Sequence, residues 1–142
     1  MNNIFSIFLV LLISEGFAQT VTKTEEYDDG GLKSITYFKK VENKFIVTME
    51  EQFYIDGSLW YRCDLKRIFD KKDWKFIKMK DGKFSSFHSN GSKKEEGSYN
   101  ENKKDGKWVT WYGNGYKMSE GIYKDGLKIS EKSWNEDGSE KD

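Results

Sequence analysis

A single histidine, His88, and a single cysteine, Cys63, bound the chemistry open to this chain. A catalytic nucleophile needs a base beside it, and no histidine lies near Cys63 in sequence; one Cys and one His likewise cannot furnish the ligand sets that zinc sites use. Carboxylate doublets stand at Glu50-Glu51 and Glu95-Glu96. Neighbouring residues of a strand point to opposite faces, the wrong geometry for a shared acid–base pair. Asn100-x-Asn102-x-x-Asp105-Gly106 approaches a calcium loop, but its third acidic position comes one residue late, Lys103 and Lys104 intrude, and Trp111 stands where a bidentate Glu is required. No Gly-rich run followed by Gly-Lys-Ser/Thr is present to cradle phosphate. The sequence therefore predicts no catalytic residue, no cofactor and no metal. Its remaining chemistry is aromatic: Phe84, Phe87, Trp108, Trp111, Tyr112 and Trp134 recur at regular spacing. Such rings can anchor a protein partner or stack on sugars, or else serve the sheet itself as cross-strand packing partners.

These rings belong to a repeat. Asp81-Gly82-Lys83-Phe84-Ser85-Ser86-Phe87-His88-Ser89-Asn90-Gly91 returns 24 residues later as Asp105-Gly106-Lys107-Trp108-Val109-Thr110-Trp111-Tyr112-Gly113-Asn114-Gly115. Ten of the 24 positions are identical between the copies, where unrelated segments share about one or two. The dipeptides Asp56-Gly57, Asn90-Gly91, Asn114-Gly115 and Asp137-Gly138 predict two-residue type I′ hairpins. Second turns follow at Asn102 and at Asp125-Gly126. Gly57, Gly91, Gly115, Gly126 and Gly138 are thus read as turn positions. Each unit becomes strand, turn, strand, turn, and stacked units make an antiparallel meander. Gly97 and Gly121 fall inside strands, where an aromatic ring of the neighbouring strand is expected to cover the bare backbone.

Upstream, 20–26 reads as a frayed start or an edge strand, Asp28-Asp29-Gly30-Gly31 as a turn, and 32–38 and 45–54 as strands rich in β-branched and aromatic residues. Leu59, Tyr61, Cys63 and Leu65 alternate with Trp60, Arg62 and Asp64, the period of a half-exposed strand. Lys71-Lys72-Asp73 breaks the pattern before a short strand from Trp74 to Met79. Absence of proline suits an uninterrupted ladder. Cys63 reads as a small buried hydrophobe.

Residues 1–18 carry a ten-residue apolar run, 4–13, ending in Gly16-Phe17-Ala18 before Gln19. Too short to span a bilayer, which takes about 20 residues, the run reads as a signal peptide, so the mature chain is expected to be exported (periplasmic, outer-surface or secreted) with no integral span. With 24 basic and 24 acidic residues overall, the charge balance gives no nucleic-acid preference. Asn90-Gly91-Ser92 matches a glycosylation acceptor, meaningful in a host with that machinery. The chain divides into the leader, divergent β-hairpin repeats over 19–80, and regular repeats over 81–142 with a degenerate C-terminal end.

The pattern Asp-Gly-Lys-Trp-x-x-Trp-x-x-Asn-Gly at 105–115, with Glu-Gly-x-Tyr-x-Asp-Gly at 120–126, resembles the bacterial variant of the MORN repeat, a group that includes the YwqK-type antitoxins. The likeness is strong over 81–138 and weaker over 28–80, where the turn glycines Gly30, Gly57 and Gly91 stand 27 and 34 residues apart against 24 and 23 for the later ones. The resemblance implies a single elongated all-β sheet of hairpins used for protein contacts, with lipid binding proposed for some members, and supplies no catalytic residues. The function expected is a non-enzymatic scaffold that binds another protein. Binding to envelope glycan or to a membrane surface, and antitoxin-like neutralisation of a partner toxin, are the other readings.

Overall fold

The computed structural model describes residues 20–70 and 75–141. They form nine strands: β1 (Thr20–Glu26), β2 (Leu32–Val41), β3 (Lys44–Phe53), β4 (Leu59–Asp70), β5 (Lys75–Phe87), β6 (Lys93–Asn100), β7 (Lys103–Trp111), β8 (Lys117–Lys124) and β9 (Leu127–Ser133). All pair antiparallel in one open sheet whose spatial order is the order of the chain. This is the all-β meander of hairpins that the turn spacing predicts. The described residues contain no helix. The leader, the break at Lys71-Lys72-Asp73 and Trp74 lie outside the described residues. The strand expected to follow them is seen from Lys75 and runs on to Phe87, and the 66–80 stretch extends the β4–β5 hairpin of the same sheet as far as the Asp70–Lys75 pair.

The turns differ from expectation. At Asn90-Gly91 the loop has three residues, 89–91: the His88 carbonyl accepts the Gly91 N–H at 2.9 Å, and the His88 N–H donates to the Ser92 carbonyl at 2.8 Å. Only Gly91 takes a positive φ, of 81°. This is a three-residue hairpin closed by a left-handed glycine, and it replaces the type I′ turn expected at all four Asp/Asn-Gly dipeptides. The same hydrogen bonds close 28–30, 55–57, 113–115 and 136–138. The physical cause is the side chain before the glycine. Asn90 Oδ1 accepts the Ser92 N–H at 2.9 Å and the Ser92 hydroxyl at 2.7 Å, and so holds the loop in this form. The pairing beside the loop then shifts by one residue, between Ser86 and Phe87. Type I′ geometry occurs at the opposite edge of the sheet, at Glu101-Asn102 (φ 48° and 66°) and Asp125-Gly126 (φ 53° and 86°).

A single layer has no second sheet to cover its core, and here the core is a row of rings. Cys63 pairs with Phe84, and Phe84 with Gly97. Trp108 pairs with Gly121 and its indole lies over Gly97, where an added Cβ would overlap the ring. Cys63 (0% exposed), Phe84 and Trp108 (2% exposed) are the buried centre, packed by Tyr61, Leu65, Tyr99 and Tyr123. Tyr99 meets Trp108 edge-on with centroids 5.0 Å apart, a favoured geometry for paired rings. Leu59, expected beside Tyr61, Cys63 and Leu65, lies past a register shift and is not in this cluster. Lysines close the row from above: Lys80 Nζ sits 5.0 Å from the Phe84 and Tyr99 centroids, and Lys104 Nζ 3.9 Å from that of Trp108. Their ammonium groups lie over the ring faces, a cation–π arrangement, and that of Lys104 is also paired with Glu95. Ring cover of a strand glycine holds at Gly97, but the ring is Trp108 of the following strand and not Phe84 or Phe87 of its own hairpin, which were expected there. At Gly121 the close neighbour is backbone: an added Cβ would stand 2.8 Å from the Ser130 carbonyl oxygen.

Candidate functional site

Two faces and one edge divide the six aromatic residues singled out in the sequence. Residues three apart on a strand face opposite ways, so Phe84 and Trp108 enter the core row while Phe87 and Trp111 stand half-buried on the other face. There a second row forms. Phe87 pairs with Lys93, and Trp111 with Lys117. Lys93 Nζ then lies 5.4 Å from the Trp111 centroid, and Lys117 Nζ 4.9 Å from that of Trp134. Rings and ammonium groups alternate across the C-terminal half of this face.

Tyr112 belongs to the loop edge. Its hydroxyl donates to the Trp134 carbonyl at 2.9 Å, as Tyr54 does to Phe87 at 3.1 Å and Tyr27 to Phe53 at 2.7 Å. His88 takes the same place, with Nε2 3.0 Å from the Trp111 carbonyl, so this nitrogen carries the proton. The lone histidine is a staple between hairpins. Asn90 Nδ2 and Asn114 Nδ2 add a second stitch, donating to the Gly113 and Glu136 carbonyls at 2.9 Å each. The turn glycines Gly57, Gly91, Gly115 and Gly138 sit in this row of loops, with Gly126 on the far edge.

Beside Trp111 the sheet surface sinks into an open depression of about 560 Å³, lined among others by Lys83, Ser85, Glu96, Lys107, Val109 and Trp111. Strand alternation places these side chains: Lys83, Ser85 and Phe87 on β5 and Lys107, Val109 and Trp111 on β7 interleave with the core residues. Sequence reasoning missed the two lysines, although the Asp-Gly-Lys triplet repeats and period two puts each lysine on the face of the second ring. Around the depression Glu96 is paired with Lys93, and Glu120 with both Lys107 and Lys117 at 2.7 Å. Hydrogen bonds from those two lysines hold the Glu120 carboxyl down at about 2. Lys83 has no acidic partner among the described residues. The region is therefore positive on balance.

Other ionisable groups are engaged in the fold. Burial raises the Cys63 thiol to about 11, so it stays protonated at neutral pH. Burial, with a hydrogen bond to Glu51, raises Tyr37 to about 12, and Glu51 also pairs with Arg62. For Glu50 burial favours the neutral acid, but hydrogen bonds from Lys78, Tyr61 and Gln52 outweigh it and hold the pKa below the ordinary 4.5. Among the described residues no three His, Cys, Asp or Glu side chains converge as a metal site would require, and no helix is long and apolar enough to cross a membrane. No protein-family model, no curated protein and no solved structure matches the chain.

Proposed function

We propose that this protein is an exported, non-enzymatic β-repeat scaffold that binds another protein through the sheet face opposite its core. The observation that carries the reading is the position of Trp111. Trp108 is consumed by packing and Tyr112 by stapling, whereas Trp111 borders an open depression with Val109 and a polar rim, the composition of an interface centre, where Trp is enriched and supplies much of the binding energy. The resemblance of the repeat to variant MORN arrays supports the same reading, and export rests on the apolar leader. Crosslinking the mature chain in its native envelope is expected to recover one dominant protein, and Trp111→Ala to lose it while keeping the wild-type melting temperature. Recovery of glycan alone, or equal recovery by Trp111→Ala, sinks the reading.

A further inference from the structure

We propose that the Trp111 depression receives an extended acidic segment of the partner, one apolar side chain resting on Trp111 and Val109 and two carboxylates reaching Lys83 and Lys107. The inference rests on the protein-binding reading above and adds the chemistry of the occupant. Charge supplies the first argument. Glu96 is matched by Lys93 and Glu120 by two lysines, while Asp64 beside Lys83 is taken up by the Lys83 backbone N–H, so the Lys83 ammonium and the surplus charge of the Lys107–Glu120–Lys117 group remain for an incoming anion. Complementary charge of this kind steers association and rejects basic segments.

Spacing supplies the second. Lys83 on β5 and Lys107 on β7 occupy equivalent positions of consecutive units, two strand spacings or about 10 Å apart. A segment in the polyproline II form rises about 3.1 Å per residue and returns to the same face every third residue, so Asp or Glu at positions three apart, with an apolar residue close by, would set both carboxylates toward the sheet about 9 Å apart. The floor between the lysines is made by side chains of a fully paired sheet, so recognition falls to side chains and not to backbone strand addition.

The test uses a phage-displayed library of random dodecapeptides selected on the full-length chain, followed by binding of the synthesised winners to wild type, Trp111→Ala and Lys83→Glu. Lys83 makes no side-chain hydrogen bond or ion pair among the described residues, so its reversal should leave the melting temperature unchanged. The expected result is enrichment of Asp/Glu-x-x-Asp/Glu peptides with an apolar residue, which bind about tenfold more weakly to Lys83→Glu and lose affinity as salt rises. Winners that need Trp111 but ignore Lys83, or lack acidic enrichment, overturn the acidic segment and leave the protein-binding face standing. Winners that bind Trp111→Ala as well as wild type, or no enrichment at all, overturn both.

Discussion

Gly97, inside a strand, and Gly113, in a loop, carry opposite duties. The Trp108 indole rests on the Gly97 backbone and is fixed there by its Nε1–H, which donates to the Ser98 carbonyl at 3.1 Å. Gly97→Ala must push that ring out of the core row, and urea denaturation should show a loss of about 1–3 kcal/mol, the usual result of overpacking. Around Gly113 the nearest atom to an added Cβ is Asn90 Nδ2 at 3.9 Å, so Gly113→Ala should fall within about 0.5 kcal/mol of wild type. Glu50 yields a pH prediction. Its folded-state pKa lies below that of the unfolded chain, so the stability it contributes is complete above about pH 4.5 and is lost as pH falls through the folded value. Melting curves between pH 6 and 3 should show a shallower acid decline for Glu50→Gln than for wild type. None of this site was legible beforehand, because Lys78, Tyr61 and Gln52 reach Glu50 from different strands or through the register of one. Opposite placement of Phe84 and Phe87 was legible, since it follows from period two alone.

Hairpins are the elements, and what joins them is the stitching along the loop edge. Asp stands at the Asn90 position in the loops of Asp56 and Asp137, so the loop itself accepts either residue; only the amide can donate to the next loop. Asn114→Asp should therefore keep the 113–115 conformation but lose the bond to the Glu136 carbonyl, at a cost of about 1 kcal/mol, and speed amide exchange in 136–141 as seen by NMR. Strand positions were readable from hydrophobic alternation, whereas loop type was not. An Asn-Gly pair is the strongest two-residue turn signal, and it was overridden by an Asx contact to the residue after the glycine. A trace of that contact did exist: Ser58, Ser92 and Ser139 follow the glycine, and each hydroxyl donates to the preceding Asp or Asn at 2.6–2.7 Å.

Across the molecule, stability should be graded along the sheet, because each strand pairs only with its sequence neighbours. The core row is bounded by carboxylates: Glu50 pairs with Cys63 at one end, and Glu131 pairs with Gly121 at the other, opposite Trp108. Beyond Glu131 the aliphatic side chains of β9 are open to water, Leu127 at 71% and Ile129 at 65% exposure. Hydrogen exchange should be slowest in β4–β7 and fastest in β1 and β9, and Cys63, sealed at the Glu50 end of the row, should react with a thiol reagent at a rate that follows opening of that end. Equal protection of all nine strands would contradict the graded picture.

The row of three-residue loops has one more consequence. Successive loops stand two strands apart, so they mark one edge of the protein at intervals of about 10 Å, each turned by roughly 45° from the last by the natural twist of the sheet. That makes the edge a ruler with helical graduations. Inserting a third copy of the 24-residue unit would move everything beyond it by one graduation without altering any loop or either end. The reach of such a protein, and the angle at which it presents its two ends, can therefore change only in whole steps.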